Sequence, residues 1–174
     1  MIMRWLLLIS TSLIASQALS SELEVRMDCT VTHQTVVRSN DGKPEIYSSY
    51  EGAFKTGDSL IFLYRQSDDQ TIDAELYDFN RDYQIVINGS SRVFKNENSL
   101  RGSTNNTLIY VSEDNIVVDT WDKSTLKLSR YYKNDFHGIY IGQQLGLNNI
   151  ESQIATFDCR MIKDDFDEIL KSFD

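Results

Sequence analysis

Val25-Arg26-Met27-Asp28-Cys29-Thr30-Val31-Thr32-His33-Gln34-Thr35-Val36-Val37-Arg38 decides the fold class. Apolar and small residues fall on the odd positions Val25, Met27, Cys29, Val31, His33, Thr35 and Val37. Arg26, Asp28, Thr30, Thr32, Gln34 and Arg38 fall on the even ones. A period of two buries one face of a strand and wets the other. The stretch therefore reads as a long first strand with Cys29 and His33 on its buried face.

Turn signals cut the rest of the chain into shorter segments of the same kind. Asn40-Asp41-Gly42-Lys43-Pro44 is a turn by composition, and a strand over 45–50 follows it. Gly57-Asp58 opens a strand over 59–65 that is rich in β-formers, and Ser67-Asp68-Asp69-Gln70 turns into another over 71–79. Residues 83–87 and 91–95 read as a hairpin around Asn88-Gly89, because Asn-Gly suits the left-handed dihedrals of a type I′ turn. The polar segment 96–107 reads as a loop. Strands over 107–112, 116–121 and 125–132 make a meander, and 136–141 adds a short strand. Residues 142–149 read as a turn-rich link. In the last strand, 153–162, Ala155, Phe157, Cys159 and Met161 share the apolar face.

The period changes near the C-terminal end. Phe166, Ile169, Leu170 and Phe173 follow the i, i+3, i+4, i+7 spacing of an amphipathic helix over about 164–173. Asp164 and Asp165 suit its start, and Glu168, three residues beyond Asp165, completes a capping box. About nine or ten strands without intervening helices predict an antiparallel meander that closes as a β-barrel, with a β-sandwich as the alternative. The expected fold is thus mainly β with one C-terminal helix. A disulfide between Cys29 and Cys159 would make the first and last strands neighbours and clasp the barrel seam. The loop it closes, about 130 residues, corresponds to about 5 kcal/mol in the chain-entropy model.

The first twenty residues read as an export signal. Arg4 precedes an apolar run, Trp5 to Ile14, broken only by Ser10, Thr11 and Ser12, and small residues at Ala15, Ser16, Ala18 and Ser20 supply the cleavage spacing. The expected organisation is a signal peptide over 1–20 and a single barrel-like domain over 21–174. Such a chain is expected in the periplasm or the extracellular space, where two cysteines usually make one disulfide. No later apolar stretch in the sequence approaches the roughly 20 residues of a membrane helix.

The formal net charge is −9, and −10 without the signal, whose only charged residue is Arg4. Nucleic acid and anionic lipid require basic patches, so neither is an expected partner. A basic exported protein fits the charge.

Motifs for catalysis are missing from the sequence: no Gly-x-Ser-x-Gly elbow, no phosphate-binding Gly-Lys loop, no dinucleotide fingerprint and no His-Glu-x-x-His. The two histidines, His33 and His137, would have to meet a carboxylate and a hydroxyl in a cleft to do acid–base work. His33 reads instead as a hydrogen-bonded core residue. Asp164-Asp165-Phe166-Asp167-Glu168 lacks the ligand spacing of a calcium loop and reads as a solvated helix start. No metal or cofactor is expected. Among the aromatics, Trp121, Tyr131, Tyr132 and Tyr140 are the candidate binding residues, because tyrosine and tryptophan combine apolar area with a hydrogen-bonding tip. Two Asn-x-Ser/Thr sequons occur, at Asn88 and Asn105. The sheet edges around 45–50 and 136–141 are candidates for accepting a partner strand.

These readings favour a non-enzymatic binding module, protein-binding or inhibitor-like with an acidic surface. Two alternatives are a carrier of a small apolar ligand in a barrel lumen and an enzyme without a recognisable motif.

Overall fold

A computed structural model describes residues 22–40, 43–47, 54–68, 70–79, 84–121, 123–145 and 150–174. The expected export signal lies outside these residues. So do the Asp41-Gly42 turn, 48–50 of the expected second strand and 146–149 of the expected link.

The chain forms β1 (Glu24–Asn40), β2 (Lys43–Tyr47), β3 (Ser59–Asp68), β4 (Thr71–Asp78), β5 (Gln84–Arg92), β6 (Phe94–Asn96) and β7 (Ser99–Ser103). It continues through β8 (Thr107–Ser112), β9 (Asn115–Thr120), β10 (Thr125–Tyr132), β11 (Asp135–Leu145), β12 (Ile150–Asp164) and the helix α1 (Phe166–Lys171). The strands form one antiparallel sheet in the order β5-β4-β3-β1-β12-β11-β10-β9-β8-β7-β6, with β2 added to β1. The sheet is nearly closed as a barrel.

Near-closure comes from a corner. β5 and β6 lie at opposite ends of the strand order, yet only Val93 separates them in the chain. One segment therefore pairs with β4 along its first part and with β7 along its second. The Val93 N–H leaves this ladder and donates to the Gln70 carbonyl at 2.7 Å. At the corner β7 comes close: a Cβ on Gly102 would collide with the Arg92 carbonyl oxygen and the Val93 side chain. Only glycine lets the two backbones approach there.

Inside the barrel, Val25, Met27, Phe54, Phe62, Tyr64, Leu76, Ile109, Val118, Phe136 and Phe157 form one buried cluster. Phe54 stands edge-on to Tyr140 and Phe157, with ring centres 5.1 and 5.6 Å away. Cys29 and Cys159 face each other in the β1–β12 register and are joined by a disulfide. The first and last strands are neighbours, as expected. The bond is not at the seam, however. It lies in the middle of the sheet, and the break in the ladder falls between β5 and β6.

Several expectations are corrected. Asn88-Gly89 is not a hairpin turn: β5 runs straight through it, with Asn88 opposite Glu75 and Gly89 opposite Ala74. The pairing available from β4 overrides the local turn preference. The polar segment 96–107 is not a loop, because it contains β7 between two tight turns. Twelve strands result among the described residues, more than the nine or ten expected. β11 is longer than 136–141, and β10 and β12 flank it, so it is no free edge.

His33 is also corrected. A register shift between Val31 and His33 inserts Thr32 as an extra residue in β1. The bulge reverses the parity of everything after it. Gln34 and Val36 point inward, and His33 is exposed.

The helix begins at Phe166 and forms no capping box, because Asp165 makes no side-chain cap bond. Asp165 instead ties the helix start to β1: its Oδ2 accepts from the Glu24 N–H at 3.1 Å, and its own N–H donates to the Glu24 carbonyl at 3.2 Å. Asp164 takes the capping role, with Oδ1 accepting from the Phe166 N–H at 3.2 Å. Phe166 and Ile169 are buried, and Leu170 and Phe173 pack partly buried against the same core.

Candidate functional site

The strands β10, β11 and β12 present two faces of different character. Inward, Phe136, Tyr140, Ala155, Phe157 and Cys159 join the core. Outward lie His137, Ile139 and Ile141 on β11, and Ile154, Thr156 and Asp158 on β12. The register sets His137 opposite Asp158, Ile139 opposite Thr156 and Ile141 opposite Ile154. Ile139, Ile141 and Ile154 remain 46%, 43% and 42% exposed. An apolar patch of this kind on a sheet face is a common mark of a docking surface.

One end of the patch is aromatic. A register shift between Arg130 and Tyr132 bulges β10 just before its turn into β11. Through this bulge Tyr131 and Tyr132 both face solvent instead of alternating. The Tyr131 ring stacks on His137 with centres 4.0 Å apart and planes 8° from parallel. His137 Nδ1 lies 2.7 Å from Asp158 Oδ1. The carboxylate is the acceptor, so Nδ1 carries the proton, and a tyrosine, an imidazole and a carboxylate form one contiguous strip. Lys133 stands over the Tyr132 ring, with Nζ 5.3 Å from its centre.

Arg130 braces the turn below. Its guanidinium lies over Phe136 at 4.9 Å, and Nε donates to the Glu113 carbonyl at 2.9 Å. Another guanidinium nitrogen donates to the Lys133 carbonyl. The Asp114 carboxylate lies 3.5 Å from Nε. These contacts fix the β10–β11 turn against the β8–β9 turn.

The four aromatics named from the sequence do not form one site. Tyr131 and Tyr132 sit together at the strip. Trp121 is highly exposed at the other end of β10, roughly 25 Å away along the strand. Its backbone N–H donates to the Asn106 carbonyl at 2.6 Å, beside the Asn105 sequon. Tyr140 lies in the core, with its hydroxyl 3.2 Å from Ser124 Oγ.

His137 and Asp158 are also two parts of an acid–base arrangement. Both are more than half exposed on an open sheet face, not in a cleft. Ser129 is the cross-strand partner of His137, but its hydroxyl donates to Asn115 Oδ1 at 3.1 Å. Asp164 and Asp165, at the helix start, are engaged locally. Lys163 Nζ lies 3.1 Å from Asp165 and 3.6 Å from Glu24. The hydrogen bond to Asp165 raises the Lys163 pKa, and its ammonium stays charged.

Ile139, Ile141, Ile154 and Asp158 were not singled out from the sequence. The signal was present in Phe136-His137-Gly138-Ile139-Tyr140-Ile141, where apolar residues occupy both parities. A strand apolar on both faces either lies between two layers or has an outer face to cover.

Comparison with protein-family models, curated proteins and solved structures finds no match to this chain.

Proposed function

We propose that this chain is an exported, non-enzymatic protein-binding module that docks a basic exported partner on the outer face of β10, β11 and β12. The observation that carries the reading is the contiguous Tyr131–His137–Asp158 strip next to three half-exposed isoleucines. Aromatic anchors beside aliphatic area are the usual composition of an interface centre. The net charge supplies long-range attraction to a cationic partner, and the patch supplies short-range contact. The disulfide fits an oxidising compartment. Packing of Phe54, Tyr140 and Phe157 inside the barrel favours recognition on the outside over a small-ligand carrier.

The test is titration of the purified, oxidised protein against basic exported proteins from its own source. Binding by wild type should weaken steeply with salt. Tyr131→Ala should weaken it by about ten-fold or more, and Ile154→Ser by a similar factor. Partners that bind both variants as tightly as wild type would refute the assignment of the face.

A further inference from the structure

The β5–β6 corner carries a groove of about 400 Å³. It is lined by Gln70, Arg92, Phe94, Lys95, Ser103 and Phe173, around the buried Val93. Among the described residues that line it there are two cations and no carboxylate. That is an unusual balance in a chain with 26 acidic and 17 basic residues. Phe94 is 59% exposed beside these cations. The Arg92 guanidinium rests on a neutral partner, with Nε donating to Gln70 Oε1 at 2.7 Å.

The chain itself indicates what fits. Beyond α1, Ser172 Oγ donates to Gln66 Oε1 at 3.1 Å and brings the following residues to the groove. Phe173 forms part of its wall, and the Asp174 side chain accepts from Lys95 Nζ. A carboxylate that follows an aromatic ring thus lies on an ammonium, and that ring lines the groove together with Phe94.

We propose that this groove is a binding site for a peptide segment that carries an aromatic residue next to a carboxylate, and that Phe173–Asp174 occupy part of it in cis. The site is built on Gln70 before β4, on β5, β6 and β7, and does not depend on the outer face of β10, β11 and β12. Lys95 holds the carboxylate, Phe94 offers an apolar face to the ring in the place Phe173 takes in cis, and Arg92 supplies a second cation toward an additional acidic group. An exposed ion pair is weak, so the cis contact is one that a second ligand can displace. Tethering gives it a high local concentration, and intact protein should bind such a peptide less tightly than a variant lacking the Asp174 charge.

The probe is a labelled peptide of residues 168–174, Glu-Ile-Leu-Lys-Ser-Phe-Asp, amidated at its C-terminal end so that the Asp side chain is the only carboxylate beside the ring, titrated by fluorescence anisotropy to millimolar protein. Asp174→Asn in the full chain should tighten binding by about three-fold or more. Adding Lys95→Gln should abolish that gain, and a peptide ending in Asn should not show it. Thermal melts of the variants should match wild type, because Asp174 is exposed and the Lys95 contact is at the surface. The proposal is overturned if the peptide binds neither protein, if Asp174→Asn binds no tighter than wild type, or if the Asn-ended peptide binds equally well.

Discussion

The two halves of β1 are held in different ways. From Val25 to Val31 the strand lies between β3 and β12, buries its odd positions and carries Cys29 bonded to Cys159. From His33 onward it continues along β12, is joined by β2 from Val36, and buries Gln34 and Val36. There Gln34 and Gln153, both nearly inaccessible, meet diagonally across β1 and β12, and the Gln153 amide donates to Gln34 Oε1 at 3.0 Å. One inserted residue, Thr32, separates the two regimes. The first half is fastened by apolar packing and a covalent bond, which tolerate no water but need no geometry from polar groups. The second half buries amides, which stabilise only while each is hydrogen-bonded.

Replacing both cysteines by alanine should break the first half most severely. The disulfide closes a loop with a sequence separation of 130, and its loss should cost about 3–5 kcal/mol, read as the shift in a denaturant unfolding curve. A shift below about 1 kcal/mol would mean that packing of β1 on β12 already holds the strands without the bond.

The amide pair sharpens the other side of the comparison. Gln34→Val should cost about 2 kcal/mol, because it strands the buried Gln153 amide. Gln153→Val removes the bond to Gln34 Oε1 and should cost about 1 kcal/mol. The double variant should cost less than the sum, with a coupling energy of about 1 kcal/mol in the cycle. Strict additivity would show that the two amides do not depend on each other.

The same contrast marks what was legible in the sequence. The first half of β1 alternates strictly, and its parity and its buried Cys29 follow from that pattern, while its pairing with the last strand was expected from a Cys29–Cys159 disulfide. The second half contains Val36-Val37, where neither parity wins, and Gln34, which reads as a surface residue. Nothing local announces a bulge at Thr32, because the extra residue is set by pairing with Phe157 and Thr156 on a strand more than a hundred residues away. Asn88-Gly89 failed for the same reason: turn propensity is local, and the β4 ladder outweighed it. Within the candidate site, Tyr131 and Tyr132 were visible as residue types. Their stack on His137 and the three isoleucines depend on register across β10, β11 and β12, which no short-range spacing encodes. The separation of Trp121 and Tyr140 from them is of the same origin.

Tyr64, on β3 against the first half of β1, brings a buried polar atom to that half and allows the finest test. It sits opposite Val25 on β3, fully buried, and its hydroxyl has no hydrogen-bond partner among the described residues. Burial raises its pKa well above the ordinary 10.0, and the nearby Asp164 and Asp165 carboxylates add to the effect. The folded state therefore keeps the phenol neutral, while the unfolded chain releases its proton near the ordinary value. The stability this group contributes is complete below that value and falls as pH rises beyond it, since only the unfolded state ionises. Tyr64→Phe keeps the ring and removes an unpaired buried hydroxyl. It should raise stability by about 1 kcal/mol near neutral pH. Above the ordinary tyrosine value the gain should grow, because wild type acquires a one-proton slope that the variant lacks. Denaturant midpoints measured from neutral to strongly alkaline pH read both effects. If Tyr64→Phe were instead less stable than wild type at neutral pH, the hydroxyl would be making a bond worth more than its burial costs. The first half of β1 would then rely on a polar contact much as the second half does, and the contrast between them would narrow to the disulfide alone.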